Sequence, residues 1–129
     1  MSEPFVMKHQ VVHLPEGIGL GLALNDDAFW RRRDRDELAA GRVLTVFSYD
    51  STWDYQERHP DGDELAFVLD GACDVLVDVG SGERPVQLSA GQACVIPSGA
   101  WHRAAIHQPA TLLFITPVPT RTQHRQLNG

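Results

Sequence analysis

The sequence predicts an all-β protein, a single small antiparallel barrel or sandwich, and three observations point there. From Arg42 to about Pro117, short runs rich in β-forming residues alternate with tight turn signals. No helical periodicity interrupts them, and many short strands without helices between them indicate a sandwich or barrel. The chain's 129 residues suit one domain, and a hydrophobic content of 43% is enough for a real core.

Along the chain, residues 1–25 read as an arm with short extended stretches around Gln10 to Leu14 and Leu20 to Leu24. Asp26 or Asp27 is placed to cap a helix running to about Ala40, with Gly41 as the residue beyond its end. Trp30, Asp34 and Leu38 fall four apart on that helix, with Phe29 beside them, which leaves one narrow apolar face. The run from Arg31 to Glu37 interleaves both charge signs and reads as a solvated face with local ion pairs. Strands are expected near 42–49, 53–59, 64–70, 73–79, 85–88, 92–96, 101–107 and 110–116. The breaks between them include Pro60-Asp61-Gly62, Asp70-Gly71, Gly80-Ser81-Gly82 and Pro97-Ser98-Gly99. The chain thus divides into an arm and helix packing on the barrel (1–41), the barrel (42–117) and a loosely held polar tail (118–129).

Composition excludes several functions. A net charge of −6 is unfavourable for nucleic acid and for an anionic membrane surface. The apolar runs are too short to span a bilayer, and the first ten residues lack the features of a signal peptide, so a cytoplasmic location is expected. Cys73 and Cys94 form neither a disulfide framework nor a CxxC motif and read as free thiols. Lys8, the only lysine, sits near the amino terminus, which disfavours Schiff-base catalysis and a P-loop. No GxSxG elbow is present.

The residues that carry chemistry cluster at Trp53 to Gly71 and Gly91 to Ile106. Residues two apart on a strand face the same side, so Glu57 and His59 project together. Pro60 to Asp63 supply a four-residue turn, and in such a hairpin His59 and Glu64 become cross-strand neighbours. His102 opens a later strand after the turn at Pro97 and Gly99. Imidazole and carboxylate together suit a divalent ion of the Fe, Mn, Ni or Zn kind.

On these residues the sequence resembles the cupin superfamily. That family's first motif is G-x5-H-x-H-x3,4-E-x6-G, and His59, Glu64 and Gly71 fit its second half without a gap. Its second motif, G-x5-P-x-G-x2-H-x3-N, is matched by Gly91, Pro97, Gly99 and His102, with Ile106 in the place of the final Asn. Glu57 stands where the first histidine belongs, and the first glycine is replaced. The resemblance implies a jelly-roll barrel (a double-stranded β-helix) holding one divalent metal ion on Glu57, His59, Glu64 and His102. Two readings of Glu57 stand open. As a fourth ligand it gives a hard, anionic site; turned away, it leaves a two-histidine, one-carboxylate triad suited to iron and O₂.

Strand parity extends the site into a pocket. Ala66 and Val68 continue the inward set after Glu64, and Ala104 and Ile106 continue it after His102. Trp53 and Tyr55 share the parity of Glu57 and stand at the mouth, or pack as core. These walls favour a small, partly apolar molecule. The resemblance implies a metal-dependent enzyme of dioxygenase or isomerase type, with Glu57 or Glu64 as ligand or general base. The alternative it implies is a non-catalytic small-molecule binding or sensing module. It also implies a homodimer, with the arm of residues 1–25 covering a sheet edge.

Overall fold

The computed structural model describes residues 3–31, 38–119 and 121–127. The chain is built from strands β1 (Gln10–Leu14), β2 (Gly21–Leu24), β3 (Arg42–Tyr49), β4 (Tyr55–Arg58), β5 (Glu64–Asp78), β6 (Arg84–Ser89), β7 (Ala93–Ile96), β8 (Trp101–Pro117) and β9 (Gln123–Gln126), with one short helix, α1 (Asp27–Arg31). All strand pairs are antiparallel.

Two long strands organise the barrel. The second half of β8 lies between β3 and the first half of β5, which also pairs with β7. The first half of β8 lies beside β4 and the second half of β5, which also pairs with β6. Each long strand therefore runs through both layers of a jelly roll, and β1 and β2 extend one layer beyond β3. Between the layers Ala66, Val68, Cys73, Val75, Leu112 and Phe114 form the main core. A smaller cluster of Val11, Phe29, Leu38, Val43 and Val118 holds the arm and helix on the outside.

The predicted pairs of strands at 64–70 and 73–79, and at 101–107 and 110–116, are each one continuous strand. The expected break at Asp70-Gly71 is a bulge instead, with register shifts between Val68 and Cys73. Gly71 supplies it with a backbone φ of +85°, a conformation that costs glycine nothing. The bulge also switches which residues of β5 face inward, from Glu64, Ala66 and Val68 to Cys73 and Val75.

Three further expectations are corrected. Among the described residues the α-helix spans Asp27–Arg31; most of the predicted continuation falls on residues 32–37, outside those described, and 39–41 are bends, short of the expected end near Ala40. Asp26 is the cap, its Oδ1 accepting from the Phe29 N–H at 2.9 Å. The tail is not loose: β9 pairs with β4 over four residues, and Arg121 forms an ion pair with Asp61. His59 and Glu64 are not partners in a hairpin. β4 belongs to one layer, whereas Glu64 pairs with Ile96 in the other, so the loop 60–63 carries the chain across the barrel.

Candidate metal centre

Four side chains meet inside the barrel near one end. Glu57 on β4 pairs directly with His102 on β8, His59 follows β4, and Glu64 opens β5 in the opposite layer. Each offers one ligand atom, and the four atoms lie within 4.8 Å of one another. His59 Nε2 stands 3.0 Å from Glu64 Oε2 and 3.5 Å from Glu57 Oε1. His102 Nε2 stands 3.2 Å from Glu64 Oε1 and 3.4 Å from Glu57 Oε1. His59, Glu64 and His102 are buried, and Glu57 is nearly so.

The remaining polar atom of every one of these side chains is already engaged. The Ala100 carbonyl accepts from His102 Nδ1 at 3.2 Å, which leaves Nε2 as the ring's lone-pair atom. His59 Nδ1 meets the Thr122 hydroxyl at 2.9 Å. The Thr116 hydroxyl donates to Glu64 Oε2 at 2.7 Å, and His124 Nε2 approaches Glu57 Oε2 at 3.3 Å. By contrast, His59 Nε2, His102 Nε2 and Glu64 Oε1 are buried with no hydrogen-bonding partner among the described residues. They are near enough to one another for hydrogen bonds but are not aligned as such. Buried polar atoms left in this state cost about 1–3 kcal/mol each, unless something else binds them. Two ligands on one ion at about 2.1 Å stand roughly 3.0–3.4 Å apart, close to the imidazole–carboxylate distances of 3.0, 3.2, 3.4 and 3.5 Å seen here. The donor set therefore fits a divalent ion of the imidazole and carboxylate class.

Without an ion, protons serve as the counter-charge. Burial alone would lower both imidazoliums, but the contacts with Glu57 and Glu64 outweigh it and push His59 up to about 9 and His102 to about 10. Burial would raise the two carboxyls, yet their histidine neighbours hold Glu64 below, and Glu57 well below, the usual range. The carboxylate contribution to stability is present above pH 4.5 and is lost as the pH falls through the depressed values. The histidine contribution is complete below pH 6.5 and is lost as the pH rises through 9 and 10. Metal-free protein is therefore expected to melt highest between about pH 4.5 and 6.5, and progressively lower toward pH 10. Thermal melts in the presence of a chelator check this; a flat profile from pH 6 to 10 would refute the ion-pair account.

Above these four side chains opens a cavity of about 420 Å³, within the range of small-molecule sites. Its walls are aromatic: Trp30, Phe47, Tyr49, Trp53, Tyr55 and Phe114. Trp53 and Tyr55 stack in parallel, with ring centroids 5.3 Å apart, and Tyr49 lies 5.4 Å from Trp53. Burial pushes the Tyr49 phenol far up, and burial with the Glu57 charge pushes Tyr55 to about 12, so both keep their protons.

Of the expected pocket residues, the structure brings Trp53 and Tyr55 to the cavity and leaves four out of it. Ala66, Val68 and Ala104 are buried in the main core, and Ile106 packs against it. They face inward as parity requires, but on the side of the ligands where the barrel is filled. Glu57 points into the site, not away. Phe47, Tyr49, Phe114, Thr116, Thr122 and His124 were missed. A signal existed for Phe114 and Thr116, which continue the even-numbered inward face of β8 from His102. Nothing local marks Thr122 or His124.

A family model described as a cupin domain, Cupin_2, matches residues 50–116. No significant match was found among curated proteins. Solved structures with a similar fold include a cupin-2 domain protein from Shewanella frigidimarina, 21% identical with a TM-score of 0.51, over 59% of this chain and 70% of that one. A conserved Streptococcus pyogenes protein of unknown function is 23% identical with a TM-score of 0.51, over 60% of this chain and 65% of that one. Hydroquinone 1,2-dioxygenase from Sphingomonas, with 4-hydroxybenzoate bound, is 21% identical with a TM-score of 0.50, over 59% of each chain. At these identities the likeness is one of fold. No helix among the described residues is long and apolar enough to cross a membrane.

Proposed function

The chain belongs to the cupin domain family, and from that premise we propose that it is a metal-dependent enzyme acting on a small, flat, partly apolar molecule. Glu57, His59, Glu64 and His102 would hold one divalent ion. The observation that carries this reading is the convergence of three buried polar atoms, His59 Nε2, His102 Nε2 and Glu64 Oε1, that face one another without an aligned hydrogen bond beneath an aromatic cavity. Fold alone does not choose a reaction; the residues of the site do.

A bound divalent ion would supply Lewis acidity and, as iron, access to O₂. The chain's own residues set what can approach it. The parallel faces of Trp53 and Tyr55 suit stacking on a planar ring, and Phe47 and Phe114 keep water from the cavity wall. Glu57 and Glu64 together balance the charge of a divalent ion, and no lysine or arginine lines the cavity among the described residues. An anionic substrate would therefore find no cationic partner, which favours an uncharged one. This combination supports a dioxygenase or isomerase acting on an aromatic or enolic compound. The hydroquinone dioxygenase, a cupin-like fold with an aromatic ligand bound, is consistent with that class.

Elemental analysis of protein purified without an affinity metal tests the proposal. About one equivalent of Fe, Mn, Ni or Zn is expected. Iron would direct screening to oxygen uptake with small phenols, and the other metals to isomerisation. If no ion binds even after reconstitution, the metalloenzyme reading fails and a metal-free binding barrel replaces it.

A further inference from the structure

We propose that the C-terminal strand is the outer support of the metal centre, with Thr122 and His124 as positioning residues that aim His59 and Glu57 at the ion. This rests on the metal-centre reading above. Four groups hold the far sides of the four ligands. Ala100 and Thr116 lie within the span matched by the family model, whereas Thr122 and His124 lie beyond it. Half of this outer support is thus contributed by a segment outside the family's common region.

The geometry gives each residue a distinct task. A hydroxyl accepts as well as donates, so Thr122 Oγ1 at 2.9 Å can accept a hydrogen bond from His59 Nδ1–H and leave Nε2 as the free lone pair. His124 Nε2 at 3.3 Å from Glu57 Oε2 occupies that oxygen and leaves Oε1, the one nearer both ligand histidines, for a one-oxygen bond. His124 is itself fixed by its ring edge against Tyr55, with centroids 5.7 Å apart. The backbone delivers both residues in register: β9 pairs with β4 from Tyr55↔Gln126 to Arg58↔Gln123, which sets His124 opposite Glu57. The Arg121–Asp61 ion pair and Arg125 over the Trp101 ring, at 4.3 Å, hold the strand at either end.

The test uses full-length protein with zinc and cobalt(II) as probe metals, in competition with a chromophoric chelator. Thr122→Val removes the hydroxyl at nearly constant shape, and His124→Phe keeps the ring against Tyr55 but loses the nitrogen. Each is expected to weaken metal binding by about 10- to 100-fold and to alter the visible spectrum of the cobalt form. Thr122→Ser and His124→Gln, which retain a hydroxyl and a donor, should recover most of the affinity. Gln123→Ala disturbs the same strand without touching a ligand, since Gln123 bonds Arg58, and should leave affinity and spectrum unchanged. Wild-type affinity in the valine and phenylalanine variants would overturn the proposal. So would an equal loss in Gln123→Ala, which would reduce the strand to a general brace. If wild-type protein binds neither metal, the metal-centre reading itself falls, a result distinct from both.

Discussion

Replacing His59 and His102 together by alanine is expected to abolish metal binding, a loss of at least ~1,000-fold in affinity. Removing a group that merely supports a ligand costs about 10- to 100-fold, and this variant removes two ligands outright. It also strips Glu57 and Glu64 of the neighbours that keep them ionised in a buried place. Uncompensated buried charge costs on the order of 3–5 kcal/mol, so the alanine variant is expected to melt well below the parent. His59→Gln with His102→Gln keeps polar, uncharged side chains of similar reach and separates the two effects. It should fold, bind no ion, and lose the fall in stability toward pH 10. Metal content by elemental analysis and melting by circular dichroism read both variants. Retention of a full equivalent of metal in either one would place the ion elsewhere.

Gly71→Ala is expected to be strongly destabilising. A methyl group at this position would lie 2.2 Å from the Pro109 carbonyl oxygen and 2.7 Å from the Ala110 Cα. Both obstacles are backbone of β8, where Ala110 pairs with Tyr49 of β3, and they cannot swing aside as a side chain would. The φ of +85° adds a penalty of about 1–2 kcal/mol for any residue with a Cβ. A total near 4 kcal/mol is expected, lowering the melting temperature by on the order of 10–15 °C. Gly80→Ala is the comparison. Its φ is also positive, but nothing stands within 4 Å, so only the conformational part should appear. Equal losses at the two sites would show that the close approach to β8 contributes nothing.

Much of this was legible in the sequence, where the determinants are local. β1 and β3 match their expected spans, because each is a β-rich run bounded by turn or cap residues. Glu57 and His59 share a strand face by parity, and Glu64 and His102 are fixed by motif spacing, so all four members of the cluster could be named. Their meeting was predicted for a partly wrong reason. A hairpin was expected to join His59 to Glu64, whereas the loop crosses between layers and the two converge from opposite sheets. What was illegible depends on contacts distant in sequence. Parity shows that Ala66, Val68 and Ala104 face inward, but not which end of the barrel stays open. The aromatic wall draws on β3 and the far half of β8. The role of β9 could not be foreseen because its residues are polar and aperiodic, and their order comes from pairing with β4.

The long ladder between β5 and β8 also bears on how the chain finds its fold. Its rungs run from Asp78↔Trp101 to Leu65↔Ile115, so each successive rung encloses a longer loop. Loop-closure entropy favours starting at the Asp78 end, where His102 already stands opposite Val77, and zipping past Gly71 toward Glu64. Such non-local pairing places folding on the order of milliseconds to seconds. The two layers therefore acquire their ligands at different times: His102 enters an early hairpin, and Glu64 arrives only when the opposite sheet closes. An ion held by these four side chains, as proposed, would meet an incomplete set of donors early, and its tight binding would belong to the finished barrel alone.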